Sequence, residues 1–140
     1  RTVAALLRDA RIGLAVSPHT GPLHAPVRDL RAQGVCVCLG QDDISDAYYP
    51  LGRNNMLEVA FLAAHLLWMT TRAEMDALYD MITRDAALAV GAPDRGISAG
   101  APADLVVLDA PSVPELLRSH HPPRYVISHG RVVAGHDPTE

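Results

Sequence analysis

A short apolar run between two glycines, followed directly by acidic residues, constrains the fold of this chain more than any other feature. The run covers residues 35–39 between Gly34 and Gly40, and its length and composition predict a buried strand. Asp42 and Asp43 follow at its carboxyl end. Ligands bind at this end of parallel strands, where a carboxylate can hold a cation, orient water or move a proton. From position alone, both aspartates are equally well explained as turn formers that end the strand.

Helical and strand-like patterns alternate before and after this run. A helical pattern over 2–10 precedes an apolar run over 12–16, and a second helical pattern over 27–33 precedes the strand at 35–39. This order predicts an α/β fold with parallel strands joined by helices. Three more helices are predicted further along the chain, over 55–69, 71–82 and 84–90.

Two of these helices carry particular expectations. The helix over 55–69 is apolar on nearly every face, which predicts a buried helix with His65 packed in the core. The helix over 71–82 begins with Thr71 and Glu74 at the spacing of a capping box.

Beyond residue 93 the pattern changes to short strands and turns. A strand is predicted over 104–109 and a short helix over 113–120. The segments 124–128 and 131–133 are predicted to pair as a hairpin across the two-residue turn His129-Gly130.

Composition excludes several classes of protein. With 140 residues and a net charge of −4, the chain has no basic stripe, so we expect no nucleic-acid partner. No apolar run is long enough to cross a membrane. Two cysteines one residue apart indicate a reducing compartment, and we expect a cytoplasmic protein. Because the chain opens inside a helical pattern without Met, we also expect it to be part of a longer protein.

Two motifs carry a family resemblance. Residues 40–52 read Gly-x-Asp-Asp-x-x-Asp-x-x-Tyr-Pro-Leu-Gly, which closely resembles the segment after the last barrel strand of bacterial cytosine deaminases, members of the metal-dependent amidohydrolase superfamily. Residues 83–109 are similar to the C-terminal signature of that superfamily as a whole. The resemblance extends over nearly the whole chain, from Thr2 to about Gly135.

The resemblance implies a fold and a domain organisation. Residues 1–93 would form the last strands and helices of a (β/α)₈ TIM barrel. Residues 94–136 would contribute strands of a small β-domain, and residues 137–140 would be a tail.

The resemblance also implies a reaction and a site. Asp42 matches the catalytic, metal-binding aspartate, Asp43 matches an acid that faces the substrate ring, and Tyr48 stands where the bacterial enzymes have a pocket-lining tryptophan. The whole enzyme would use iron or zinc to hydrolyse a C–N bond of a small-molecule nitrogenous ring such as cytosine. Gln41 stands where the family usually has a histidine before the two aspartates. Because both Gln41 and Tyr48 depart from the family pattern, the resemblance does not identify the ring.

The histidine ligands of the family have no counterpart in these 140 residues, so we expect this segment alone to be inactive. A non-catalytic α/β module that serves only in assembly is the alternative. We expect homo-oligomers, because an isolated pair of barrel strands has unpaired edges and exposed apolar faces. Cys36 and Cys38 are predicted to be core thiols, and His19 and His24 lie in a loop that could touch substrate.

Overall fold

The computed structural model describes residues 2–18, 25–42, 44–92 and 96–135. It contains six helices and five strands within these ranges. In chain order they are α1 (Val3–Asp9), β1 (Leu14–Val16), α2 (Val27–Ala32), β2 (Val37–Leu39), α3 (Met56–Leu66), α4 (Arg72–Ile82), α5 (Arg84–Ala89), β3 (Leu105–Val107), α6 (Val113–Ser119), β4 (Tyr125–Ser128) and β5 (Arg131–Gly135). The mixed α/β fold predicted from the sequence is confirmed.

β1 and β2 form a parallel pair joined through α2. Leu14 lies opposite Val37 and Val16 opposite Leu39. Both strands begin later than predicted, because the backbone just before each strand is hydrogen-bonded to the end of the preceding helix. The Ile12 N–H donates to the Leu7 carbonyl at 2.9 Å and the Val35 N–H donates to the Leu30 carbonyl at 3.0 Å, so neither is free for the sheet.

α4 forms the centre of the core. Its Leu78 and Met81 side chains are fully buried, and the helix packs against β2, α3, α5 and α6. The predicted capping box is present, since the Thr71 N–H donates to Glu74 at 2.9 Å and the Glu74 N–H donates to the Thr71 hydroxyl at 3.4 Å. The capping box sets where α4 begins.

α3 is a buried helix, as predicted, but the expectation for His65 is wrong. The side chains of α3 that enter the core belong to residues 57–60, 63 and 64, and His65 falls on the solvent side. There its ring lies against Phe61, with a centroid distance of 4.4 Å, and its Nδ1 is 2.8 Å from the Phe61 carbonyl oxygen. An apolar sequence on all sides does not reveal which side meets the neighbours.

The second sheet is antiparallel, in the order β3-β4-β5. The predicted hairpin is present, and its turn residues His129 and Gly130 have φ of 50° and 76°, as a tight two-residue turn requires. Asp104 holds this turn, since its Oδ1 accepts the His129 N–H at 2.8 Å. Within the described residues, no helix is long and apolar enough to cross a membrane.

In the chain, α6 lies between β3 and β4 of the second sheet, but it packs against α3 and α4. Its Leu116 and Leu117 side chains are buried in the same apolar cluster as α3 and α4. The predicted division near residue 93 stays a prediction, and the predicted tail over 137–140 lies outside the described residues.

A buried ion pair joins α2 to α5 beside β2. The Arg31 guanidinium lies 2.5 Å from the Asp85 carboxylate and also donates to the Val37 carbonyl at 3.1 Å. The Arg31 side chain is 23% exposed to solvent and the Asp85 side chain 11%. Arg31 therefore ties both a helix and the outer edge of β2 to Asp85.

Replacing Asp85 by alanine should strongly destabilise the fold, because it leaves Arg31 half-buried without its counter-ion. We expect the free energy of unfolding in a urea titration to fall by about 2–4 kcal/mol. Asp76→Ala is the matched control, since its exposed pair with Arg72 at 3.6 Å should contribute less than about 0.5 kcal/mol. Equal losses from the two variants would contradict this role for Asp85.

Candidate active site

The carboxyl ends of β1 and β2 meet at one edge of the parallel pair. The Gly40 N–H donates to the Val16 carbonyl at 3.0 Å, so the ladder continues one residue past β2. The chain leaves this edge through Ser17 after β1 and through Gln41 and Asp42 after β2. Side chains on these two exits therefore share one end of the sheet.

Asp42 stands where the sequence predicted it, three residues beyond Leu39, and its side chain is exposed. The other predicted residues of this edge cannot be placed beside it. Asp43, His19 and His24 all lie outside the described residues.

Tyr48 lies in the exposed segment that follows Asp42. Its side chain is 76% exposed, so the described part of the chain gives it no enclosed pocket. The backbone around it is nevertheless ordered by Asp46, whose Oδ1 accepts the N–H groups of Tyr48 and Tyr49, each at 2.9 Å. An aspartate whose side chain accepts the N–H groups two and three residues ahead forms a local turn. This turn fixes the backbone position from which the Tyr48 side chain extends.

The segment after Asp42 ends at Asn55, where hydrogen bonds connect it to α3 and α6. Asn55 caps α3 by accepting the Leu57 N–H at 3.0 Å, and its amide nitrogen donates to the His120 carbonyl at 2.9 Å. Arg53 lies 2.5 Å from the carboxylate of Glu58, which is buried in α3. Sequence analysis missed both Asp46 and Asn55 as organisers of the segment. An Asx-turn spacing and an N-cap asparagine were the available signals.

Metal binding needs more ligands than the described residues of this edge supply. The described ranges contain no group of three or more His, Cys, Asp or Glu side chains that could hold an ion. A mononuclear site needs at least three protein ligands, so the described residues alone do not fit a metal.

The two cysteines are unfavourable zinc ligands. Both are free thiols, with Cys38 buried and Cys36 half-buried. Burial is the main reason why the pKa of each thiol is raised, and Asp85 contributes to the rise at Cys36, whereas zinc binds the thiolate. Cys36 also donates to the Asp85 carbonyl, with 3.5 Å between sulfur and oxygen. These environments are those of packed thiols.

The sequence model of the amidohydrolase family matches residues 1–134. The chain belongs to this family. Among its relatives are the N-isopropylammelide isopropyl amidohydrolase of Pseudomonas sp. strain ADP, 27% identical over 91% of this chain, and the pterin deaminase of Rhizobium rhizogenes, 31% identical over 76% of this chain. A solved structure of 5-methylcytosine deaminase from Klebsiella pneumoniae, liganded with 5-fluorocytosine, matches 96% of this chain with a TM-score of 0.85 and 28% identity.

These relatives are much longer than this chain. The chain spans 32% and 24% of the two relatives and 36% of the solved structure. The predicted membership of a cytosine deaminase-like group of amidohydrolases is confirmed at the level of the family and of its structural neighbours.

The 140-residue chain should bind zinc no better than at about millimolar concentration, because a single carboxylate competes poorly with hydration of the ion. Isothermal titration calorimetry with zinc measures this directly. Stoichiometric micromolar binding would contradict it. In that case His19→Ala, His24→Ala and Cys36→Ser variants would identify the ligands.

Replacing Asp46 by alanine should loosen the segment that carries Tyr48. Each lost hydrogen bond to the carboxylate is worth on the order of 1 kcal/mol, so hydrogen exchange of the Tyr48 and Tyr49 amides should accelerate about fivefold or more. Asp46→Asn keeps an oxygen in the same place and should preserve most of the protection. Unchanged exchange in Asp46→Ala would show that the turn is held by other contacts.

Proposed function

We propose that these residues are the C-terminal part of a metal-dependent enzyme that hydrolyses C–N bonds in a nitrogenous ring, as a deaminase or a related hydrolase. The observation that carries the proposal is the position of Asp42, an exposed carboxylate just past the carboxyl end of a parallel strand in a chain of the amidohydrolase family. In enzymes built on parallel strands, catalytic groups lie at this end.

The two faces of the parallel pair support an origin in a (β/α)₈ barrel. Val16, Val37 and Leu39 belong to the apolar cluster under the helices. The residues that alternate with them are small, with Ala15 exposed and opposite Cys38. Alternate residues of a barrel strand point to the helices and to the barrel interior, so we interpret the small-residue face as an interior face. The three-stranded sheet is then part of a small β-domain.

Asp42 would act as a proton carrier and as one ligand among several. Its carboxylate can accept a proton from the attacking water and pass it to the departing nitrogen, which is general base and then general acid catalysis by a single group. When bound, a divalent ion such as iron or zinc lowers the pKa of water and polarises the ring. Since the described residues supply too few ligands, the remaining ones would come from elsewhere in the enzyme.

Specificity for the ring would depend on the residues around Asp42. Asp43 is proposed to contact the ring, and Tyr48 to form an aromatic wall once the pocket is complete. Gln41 and Tyr48 differ from the bacterial cytosine deaminases, and the relatives act on rings as different as N-isopropylammelide, pterin and 5-methylcytosine, judged by their names. We therefore propose a nitrogenous ring as the substrate class, without limiting it to cytosine.

A non-catalytic module used only in assembly is the second candidate. The absence of a three-ligand cluster among the described residues favours it, as does the replacement of the family histidine by Gln41. Both candidates are compatible with a homo-oligomer in the cytoplasm, where two free cysteines stay reduced. The two candidates make different predictions for Asp42. In an enzyme its replacement should stop the reaction, whereas a non-catalytic module has no reaction to lose.

In the full-length protein, Asp42→Asn should abolish turnover on every ring tested. The amide keeps the shape but lacks the basic oxygen, so the rate constant should fall about a thousandfold or more, since proton transfer alone contributes roughly 10² to 10⁴. Asp43→Ala should instead change the ratio of kcat/KM among different rings, because its proposed role is contact with substrate.

Asp76→Asn is the control, because this exposed carboxylate on α4 lies outside the proposed site and should leave kcat unchanged. Retention of more than about a tenth of the activity by Asp42→Asn would exclude Asp42 as the proton carrier. Absence of any ring hydrolase activity in the metal-loaded wild type would favour the assembly module.

A further inference from the structure

A buried carboxylate lies in the first turn of α3, beside the end of the 44–55 segment that carries Tyr48. Glu58 is 9% exposed, and its Oε2 lies 2.5 Å from the Nε of Arg53. Any further part of the enzyme packed here could only increase that burial. Removing charges from water costs free energy, and replacing a buried ion pair by apolar residues of similar volume is often neutral or stabilising. Stability alone therefore does not account for the pair.

The start of α3 does not require Glu58 either. The residue at the same position of α4 is Glu74, whose carboxylate accepts the backbone N–H of the N-cap residue Thr71 at 2.9 Å. In α3 the cap is made by Asn55, whose side-chain oxygen accepts a helix N–H at 3.0 Å. The Glu58 side chain turns instead to Arg53, which precedes the helix. This contact therefore joins α3 to the segment before it.

The Arg53–Glu58 pair lies where the 44–55 segment meets the body of the fold. Asp46 orders the backbone at Tyr48, but both residues belong to the segment, so their contact cannot set where the segment lies on the fold. Arg53 follows Tyr48 by five residues and binds a side chain of a buried helix. With the neighbouring hydrogen bonds of Asn55, this contact fixes the point from which the segment departs. A buried ionic contact of this kind can select one conformation among several.

We propose that the Arg53–Glu58 pair is a positioning pair for substrate binding, which holds the 44–55 segment so that the Tyr48 side chain stands against the nitrogenous ring. The proposal rests on the proposed function, and it gives both residues a role exerted through Tyr48 rather than by contact with the substrate. An aromatic wall contacts the ring in the ground state and in the transition state alike, so its displacement should raise KM and leave kcat nearly unchanged. A misplacement of about 1 Å at an active site can cost about 100-fold in efficiency.

The first test replaces both partners in the full-length, metal-loaded protein, because removal of one alone would leave a buried charge unpaired. Arg53→Met/Glu58→Met should raise KM at least about tenfold for the ring that the wild type hydrolyses best, with kcat within about threefold. Its melting temperature should stay equal or rise. The matched control is Arg72→Met/Asp76→Met, which removes an exposed pair on α4 and should leave KM and kcat unchanged. A lower melting temperature with unchanged KM would mark a purely structural pair and overturn the proposal.

Two single variants keep the test decisive if the double variant does not fold. Arg53→Lys retains a cation, and because the contact uses a single nitrogen, KM should stay within about twofold of the wild type. Glu58→Gln keeps the shape but loses the charge that strengthens the hydrogen bond, so KM should rise at least about fivefold. Equal KM values in the two variants would overturn the proposal.

Hydrogen exchange separates this proposal from the proposed function, because it requires no turnover. Backbone amides of the 44–55 segment should exchange at least about fivefold faster in Arg53→Met/Glu58→Met than in the wild type, and at the wild-type rate in the α4 control. Unchanged exchange together with normal ring hydrolysis would overturn the positioning role alone. A wild type that hydrolyses no ring would overturn the proposed function, and with it the predicted effect on KM, even where exchange is faster.

Discussion

The parallel pairing of β1 with β2 determines how the helices and the segment after Asp42 are arranged. Parallel strands cannot be joined by a tight turn, so the chain must cross over through α2 before β2 can align with β1. That crossover brings both strand ends to one edge and thereby determines where Asp42 emerges. It also leaves one face of the pair to be covered by helices, of which α4 supplies the two largest fully buried side chains, Leu78 and Met81.

The helices are held to this pair by apolar packing and by part-buried polar contacts around Asp85. Leu78 and Met81 fill the space behind β2, and the Arg31–Asp85 pair joins α2 to α5 across the edge of β2. Asp85 belongs to the segment that carries the superfamily resemblance. Its role in this structure is to neutralise Arg31, which gives that part of the signature a physical reason independent of catalysis.

Local signals in the sequence predicted most helices and strands. Contacts between residues far apart in the sequence could not be predicted from such signals. The capping box of Thr71 and Glu74 and the turn His129-Gly130 could be read directly, because each depends on residues within four positions of one another. The Arg31–Asp85 pair joins residues 54 positions apart, and only the fold brings them together. His65 was misplaced for the same reason, since the exposed side of an apolar helix is decided by its neighbours. For the site, the strand and the aspartate after it were predictable, but the surroundings of Tyr48 were not, because its side chain stays 76% exposed among the described residues.

We propose that Asp42 belongs to a metal-dependent site at the end of β2. A crystal structure of the full-length, metal-loaded protein with a nitrogenous-ring inhibitor tests it most directly. We expect a carboxylate oxygen of Asp42 about 2.0–2.2 Å from the ion and within hydrogen-bond reach of the leaving-group position. An Asp42 side chain directed into bulk solvent, with the ion and the ring bound elsewhere, would contradict it.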